Sequence, residues 1–217
     1  MTATRPARLR AVLAAWQGSR CQWVARADGL IHRAYPSIAV YRAHQRAKIL
    51  GLDLRAYDAA LIANLTARCR VTPPASPVLC LGARTGAEVR AFRDMGCLAF
   101  GVDLAPAGPL VIPADFHALP FRAQTVRTVY CNAFDHAHDP TRLLSEIARV
   151  LSRNGQLWLD LSGATHPGDF EACWWPDLDT LRYFLEQRRF QIIHTEHIQW
   201  PPGKHHWCLT SDPRTNT

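Results

Sequence analysis

The sequence predicts an α/β protein: a doubly wound, mostly parallel sheet of seven strands with an antiparallel C-terminal hairpin and an N-terminal helical cap. Apolar, strand-like runs alternate with helical segments from residue 78 onwards, as in sheets covered on both faces. The short turn Pro201-Pro-Gly-Lys204 joins the last two runs, which must therefore be antiparallel. Residues 5–70 are rich in alanine and arginine, which favours helices.

A cluster of helix-breaking residues divides the chain into two predicted parts. Residues 72–77 read Thr-Pro-Pro-Ala-Ser-Pro, and the arginine-rich composition ends there. We therefore expect a helical cap over residues 1–72 and the doubly wound domain over residues 73–217. The clearest helix of the cap follows Pro36-Ser37 and carries a polar stripe beside an apolar one. This polar stripe, which such a helix can point at a ligand, consists of Tyr41, His44, Gln45 and Lys48.

The predicted elements of the main domain follow in a regular order. Strands are expected over residues 78–81, 98–102, 110–112, 126–131, 156–161, 190–199 and 206–210. Helices are expected over residues 87–95, 140–151 and 177–189, the second of them starting at an Asp139-Pro140 cap.

Charge is distributed unevenly along the chain. Residues 1–70 contain 12 Lys and Arg against three acidic residues, a net charge of +9, whereas the remainder carries −2. The basic segment favours an anionic partner, either an acidic small molecule, nucleic acid or a phospholipid surface, or it is a solvated surface without a partner. Because no apolar run approaches the roughly 20 residues of a membrane span, we expect no such span.

The seven cysteines are scattered and include no CxxC pair. This pattern predicts neither a disulfide framework nor a zinc site, and a reducing, cytoplasmic compartment is expected.

Two loops at the carboxyl ends of predicted strands point to a ligand, because doubly wound sheets bind ligands there. The first loop contains Gly82 and Gly86 and opens a helix, so that its backbone can approach an anion closely. The second begins with Asp103, about twenty residues further on, where a carboxylate can accept hydrogen bonds from both hydroxyls of a ribose. Together they predict a cofactor that contains a nucleoside.

In order and spacing, residues 76–210 resemble the class I S-adenosylmethionine-dependent methyltransferases, particularly the small-molecule group with a type 11-like domain. The similar segments are the glycine motif at 78–86, the ribose-binding strand end at 101–104, the adenine-side segment at 115–121, the loop beside the transferred methyl at 129–140 and the following helix and turn at 146–155. The resemblance implies a Rossmann-like methyltransferase domain over residues 73–217, with S-adenosylmethionine as cofactor. The cofactor-binding residues it implies are Gly82, Arg84, Gly86, Asp103, Leu104, Asp115, Phe116 and Asn132.

Two residues depart from the pattern of the family. Cys80 replaces an acidic residue, which removes a partner for the amino-acid end of the cofactor, and Arg84 replaces the central glycine. Arg84 either swings outward to bind the methionyl carboxylate or an anionic acceptor, or it blocks the pocket.

Candidate catalytic bases lie in the loop after the fourth strand. His136 and His138 are neutral near pH 7 and able to take a proton, and Asp135 or Asp139 could orient one of them. In the family that the chain resembles, however, a histidine at the place of His136 often has a purely structural role. Consecutive loop residues enforce no ligand geometry, so we expect no metal at this histidine pair. Trp174 and Trp175 are candidates to wall an apolar or aromatic acceptor.

The sequence thus predicts a methyltransferase that acts on a small, anionic or aromatic acceptor, with the polar stripe of the cap closing the acceptor side. Two alternatives stay open. An RNA-directed methyltransferase would use the basic N-terminal segment to track the RNA backbone. A catalytically silent binding protein would keep the fold and lose the chemistry, which would explain Cys80 and Arg84.

Overall fold

The computed structural model describes residues 13, 16, 20–48, 54–163, 167–198 and 204–211. In this part of the chain the strands are β1 (Trp23–Ala25), β2 (Ile31–Arg33), β3 (Val78–Leu81), β4 (Ala99–Asp103), β5 (Val111–Pro113), β6 (Val126–Cys131), β7 (Leu151–Ser162), β8 (Cys173–Trp174), β9 (Phe190–Ile198) and β10 (Lys204–Ser211). The α-helices are α1 (Ile38–Ala47), α2 (Arg55–Val71), α3 (Ala87–Asp94), α4 (Pro140–Val150) and α5 (Leu178–Glu186), and a 3-10 helix covers Phe134–His136.

Seven strands form the main sheet in the order β5-β4-β3-β6-β7-β10-β9. The first five are parallel, and β10 is antiparallel to both β7 and β9. This topology confirms the predicted doubly wound sheet and its antiparallel hairpin. The strand order reverses between β3 and β6, which places a crevice beyond the carboxyl ends of these two strands.

Apolar side chains cover both faces of this sheet. Leu79 and Leu81 of β3 belong to a cluster that includes residues of α4 and α5, and their neighbours Val78 and Cys80 belong to a cluster with residues of α2 and α3. Successive side chains of a strand point to opposite faces, so β3 is buried on both sides. Its continuous apolar run is therefore what the fold requires.

The cap contains two strands in addition to its helices. Residues 23–33, which the composition places in a helical region, form the hairpin β1-β2. The turn of this hairpin lies at Asp28-Gly29, where Gly29 has a φ of +84° and Asp28 accepts a hydrogen bond from the Leu30 N–H. Strand β2 also pairs with β8 of the main domain. The predicted cap and main domain therefore share a small sheet, and the boundary at residue 72 stays a prediction.

Polar side chains cap the first turns of three helices. The Ser37 hydroxyl accepts a hydrogen bond from the Val40 N–H at the start of α1, and Asp177 caps α5 through the Thr180 N–H. Asp139 accepts from the Arg142 N–H and Pro140 is the first residue of α4, as predicted from the sequence.

A buried carboxylate ties α2 to the sheet. Asp160 on β7 accepts hydrogen bonds from the Tyr130 hydroxyl, His206 Nδ1 and the Arg68 guanidinium, at 2.7, 2.7 and 3.2 Å. Burial opposes ionisation, but the hydrogen bond from His206 and the charge of Arg68 outweigh it and lower the pKa of Asp160. This network fixes the helix that forms one wall of the cavity described below.

All seven cysteines lie in the described part of the chain and are free. None of the helices in that part combines the length and hydropathy that a membrane span requires.

We predict that Asp160→Asn lowers the free energy of unfolding by about 3 kcal/mol, because it removes the buried charge partner of Arg68 and leaves only the half-exposed Glu196, at 3.2 Å, to pair with this guanidinium. Urea denaturation measures the change. Asp179→Asn is the matched control, since the Asp179 side chain is 90% exposed and lies 3.9 Å from Arg182, and it should change stability by less than about 0.5 kcal/mol. Equal effects of the two substitutions would contradict the proposed role of the network.

Candidate active site

The loops after β3 and β6 touch at the crevice where the strand order reverses. Gly82 has a φ of +71°, and a Cβ at this position would lie 2.6 Å from Ala133 Cβ. Only glycine allows this conformation and this close approach. Gly82 and Ala133 both line the two spaces at the carboxyl edge of the sheet that are described below.

Arg84 stands in the glycine loop in a left-handed conformation with a φ of +33°. Its N–H donates to Asp103 Oδ2 at 3.1 Å, and the Ala105 N–H donates to Asp103 Oδ1 at 2.7 Å. These bonds hold the Asp103 carboxylate at the end of β4. Gly86, also with a positive φ, precedes the first residue of α3.

The main cavity has a volume of about 300 Å³ and lies between α2, the glycine loop and the loop after β6. Ligand sites typically have volumes of about 300–1,000 Å³. Its charged lining residues are Lys48, Asp58, Arg84, Glu88, Asp135, Glu171 and Lys204. Tyr57, Gly82, Asn132 and His136 also line it, and the Asn132 amide nitrogen lies 3.4 Å from the Tyr57 hydroxyl.

Lys48 and His136 are in direct contact in this cavity. His136 Nδ1 donates to the Phe170 carbonyl at 3.0 Å, so its Nε2 carries no proton and accepts a hydrogen bond from Lys48 Nζ at 2.7 Å. Burial and then the charge of Lys48 lower the pKa of His136 well below its ordinary value. The neutral ring therefore has its proton-accepting nitrogen already occupied.

The pKa values of the two lysines move in opposite directions. Burial and the nearby Arg84 lower the pKa of Lys48 to about 8. Burial also disfavours the charged form of Lys204, but Tyr57 and Asp135 outweigh it and raise its pKa. One cavity thus holds two amines with different proton affinities.

A smaller hollow of about 30 Å³ adjoins the same loops. Five of the predicted cofactor residues line it: Gly82, Arg84, Asp103, Leu104 and Phe116. Tyr41 and Gln45 of α1 cover it, with the Tyr41 hydroxyl donating to the His136 carbonyl and the Gln45 amide to the Phe170 carbonyl. Helix α1 therefore lies over the predicted nucleoside side, and not only over the acceptor side.

Other predicted site residues line neither space. Asp115 is paired with His117 at 2.7 Å and with Arg42 at 3.2 Å. His138 packs against the rings of Tyr41 and His117, with ring centroids 4.4 and 4.0 Å away, and burial lowers its pKa to about 4. His44 is buried against Phe170 and hydrogen-bonded to the Tyr35 hydroxyl.

Trp174 and Trp175 lie on the far side of Asp135. Together with Ser162 and Glu171 they line a third hollow of about 60 Å³. Three residues separate it from the main cavity and line both spaces: Asp135, Ser162 and Glu171. The tryptophans are therefore adjacent to the main cavity rather than part of its wall.

Asp135, His136 and Glu171 are the residues of the described chain whose donor atoms come close enough to hold a metal ion, all within 4.8 Å of one another. Lys48 donates to the unprotonated nitrogen of His136, which a metal would need. The Lys48 amino group therefore occupies the place beside His136 Nε2 that a metal ion would take.

Several cavity residues were not singled out from the sequence: Tyr57, Asp58, Glu88, Glu171 and Lys204. Burial raises the pKa of Glu88 to about 8. Glu88 is also an electrostatic neighbour of Cys80, the position where the acidic residue of the glycine motif is missing. The sequence did contain one indication of Lys204, because Lys48 and Lys204 are its only lysines.

Comparisons with known proteins agree with this architecture. Residues 79–159 match the family model of a methyltransferase domain. A Burkholderia thailandensis 1,6-didemethyltoxoflavin-N1-methyltransferase, solved with that compound and S-adenosylhomocysteine, is 16% identical, with a TM-score of 0.63 over 88% of this chain and 98% of that one. A glycopeptide N-methyltransferase in complex with S-adenosylmethionine is 15% identical, with a TM-score of 0.55 over 70% of this chain and 94% of that one.

A Pyrococcus horikoshii protein is 14% identical, with a TM-score of 0.58 over 73% of this chain and 92% of that one. At these identities the structures establish the fold alone. A comparison of the sequence with curated proteins finds no match.

The sheet order is that of a Rossmann-like methyltransferase fold, and the match over residues 79–159 supports a class I methyltransferase domain, as the resemblance of the glycine loop and Asp103 predicted. The family match supports S-adenosylmethionine as the cofactor of this domain.

Glu88→Gln should remove a pH dependence of stability. Between the ordinary glutamate pKa of 4.5 and the raised value of about 8, the folded protein holds a proton that the unfolded chain has lost. The wild type therefore loses stability as the pH rises through this window. From about pH 5 to about pH 8 the variant should gain on the order of 4 kcal/mol relative to wild type.

Urea denaturation at several pH values measures this difference. Glu186→Gln changes an exposed glutamate and should give a profile parallel to that of the wild type. A parallel profile for Glu88→Gln as well would mean that Glu88 is ionised in the folded protein.

Proposed function

We propose that this protein transfers the methyl group of S-adenosylmethionine to a small molecule bound in the main cavity. The observation that carries the proposal is the composition of that cavity. The glycine loop, the loop after β6, the cap and β10 all contribute to its lining, the last two through ionisable side chains. A cofactor at the strand ends and an acceptor on the cap side would therefore meet there.

The residues at the strand ends suit the predicted cofactor. Asp103 has an anchored carboxylate that faces the smaller hollow, where ribose hydroxyls would donate to it. Glu88 lines the main cavity, is fully buried and makes no ion pair within the described part of the chain. A buried carboxyl without a cationic partner complements an ammonium group, and the amino-acid end of the cofactor carries one. We infer that Glu88 replaces the acidic residue missing at Cys80.

When bound, the cofactor supplies a methyl group already activated by its sulfonium. The chain must hold the acceptor in line with that methyl group and exclude water. Asn132 and His136 are predicted residues that line the main cavity, and Arg84, which lines both spaces, is placed to bind a carboxylate of either ligand. Tyr41 and Gln45 close the nucleoside side, so α1 must shift for the cofactor to enter the smaller hollow.

A small acceptor is favoured over RNA because cations of the N-terminal segment are used inside the fold. Arg68 is buried against Asp160, Lys48 lies in the cavity, and Arg33 donates to the carbonyls of Glu171 and Gly168. These charges are not available to a nucleic-acid backbone.

Calorimetric titration with S-adenosylhomocysteine tests the cofactor half of the proposal. We expect binding to the wild type and an affinity about 10- to 100-fold lower for Asp103→Asn, which loses charge-assisted hydrogen bonds to the ribose. Asp94→Asn, at the exposed end of α3, should bind as the wild type does. Absence of binding to a folded wild-type chain would overturn the enzyme function and favour a catalytically silent protein.

The pH dependence of the same titration tests Glu88. Because burial raises its pKa to about 8, Glu88 is mostly protonated in the free protein at neutral pH. An ammonium partner would lower this pKa, so binding should release a proton and should strengthen from about pH 6 to about pH 8. Glu88→Gln should bind more weakly and lose the proton release, which titrations in buffers of different ionisation enthalpy detect. The same proton release in both proteins would exclude Glu88 as the partner.

A further inference from the structure

The only two lysines of the chain meet in the main cavity. The sequence has 25 lysines and arginines, and all of them except Lys48 and Lys204 are arginine. Lys48 follows α1 and Lys204 begins β10, yet both line the same space. An arginine keeps its proton throughout the physiological range, whereas a buried lysine can lose it. Both lysine amines of the chain therefore lie at its candidate active site.

Histidine 136 does not compete with Lys48 for a proton. Its Nδ1–H is held by the Phe170 carbonyl, and its Nε2 accepts from Lys48 Nζ. This contact uses one N–H of the lysine and leaves the rest of the amine to the cavity that it lines. The other predicted base, His138, lies outside the cavity. Lys48 is therefore the basic group that remains to take a proton from a molecule bound in the cavity.

Charged and titratable groups face Lys48 from each element around it: His44 on its own helix, Arg84 in the glycine loop, Asp135 and His136 after β6, Glu171 before β8 and Lys204 on β10. Burial is the largest influence on Lys48, the charges of Arg84 and Lys204 act in the same direction, and Asp135 and Glu171 oppose them, which leaves its pKa at about 8. Lys204 has its pKa raised and stays charged. Such a separation of two like groups is typical of acid and base assignments.

We propose, on the basis of the function proposed above, that Lys48 takes the proton from the nucleophilic atom of the acceptor while Lys204 binds the resulting anion. The acceptor is then a small molecule with an acidic O–H or N–H, such as a phenol, an enol or a heterocyclic amine. The O–H or N–H bond breaks and its proton moves to the lone pair of the Lys48 amine. The electron pair left behind forms the bond to the methyl carbon, as the pair of the carbon–sulfur bond stays on sulfur.

Selective isotope labelling of lysine provides the first test. The labelled protein, free of ligand, should give two lysine side-chain NMR signals, which Lys48→Arg and Lys204→Arg assign. We expect the Lys48 signal to titrate near pH 8 and the Lys204 signal above the ordinary lysine value of 10.5. Titration of Lys48 at or above that ordinary value would overturn the proposal. Failure of S-adenosylhomocysteine to bind in the proton-counting experiment described next would instead overturn the proposed function.

Proton counting with phenol provides the second test. At about pH 9, between the pKa of Lys48 and the value of about 10 expected for phenol, free Lys48 is mostly neutral and free phenol mostly protonated. Binding of phenol to the wild-type complex with S-adenosylhomocysteine should then release almost no proton to the buffer, because Lys48 takes it. Lys48→Arg should release about one proton per phenol bound, since arginine cannot accept it.

Ultraviolet absorption at the same pH reports whether the bound phenol is ionised, which we expect in both proteins. Equal proton release by the wild type and Lys48→Arg would overturn the role of Lys48. Phenol that binds without ionising, or that does not bind to the complex at all, would overturn the acceptor class.

Discussion

The burial of ionisable groups at the carboxyl edge of the sheet is the constraint on which this site depends. Seven Asp, Glu, Lys and Arg side chains share a cavity of about 300 Å³. Removing charge from water is costly, so such groups either pair or change their protonation. Lys204 keeps its charge beside Tyr57 and Asp135, whereas burial shifts Glu88 and Lys48 toward their neutral forms near pH 8. The fold therefore sets protonation states as well as positions.

Helix α1 is held to the strand-end loops through polar contacts. The Tyr41 hydroxyl and Lys48 Nζ both bind His136, through its carbonyl and its ring, and the Gln45 amide binds the Phe170 carbonyl. These bonds place the helix over the nucleoside side and Lys48, the residue that follows it, in the main cavity. A movement of α1 that admits the cofactor would therefore also change the contact between Lys48 and His136, which links occupation of the two spaces.

Much of the fold was predictable because its signals are local. Buried parallel strands are continuous apolar runs, so β3 and β6 were located to the residue, and the Asp139-Pro140 cap fixed the start of α4. The pairing of the β1-β2 hairpin with β8 was not predictable, since it depends on a strand about 140 residues away in sequence. Composition indicated helix there, and tertiary pairing outweighed it.

The residues of the candidate site also differ in how far the sequence predicts them. Asp103 and the glycine loop carry a spacing signal, and Lys48 lay on a stripe that helical periodicity reveals. Glu88, Glu171 and Lys204 converge on the cavity from separate segments, which periodicity does not encode. Spacing likewise gave no indication that Arg42 would pair with Asp115 or that His138 would stack on Tyr41, because both contacts arise from the docking of α1.

A crystal structure of the protein with S-adenosylhomocysteine would test the central claim most directly. We expect the adenosyl group beneath α1, with its ribose hydroxyls on Asp103, the amino group near Glu88, and the sulfur facing the part of the main cavity that holds Lys48. A ligand bound elsewhere, or a sulfur that points away from Lys48 with the main cavity closed, would contradict this arrangement.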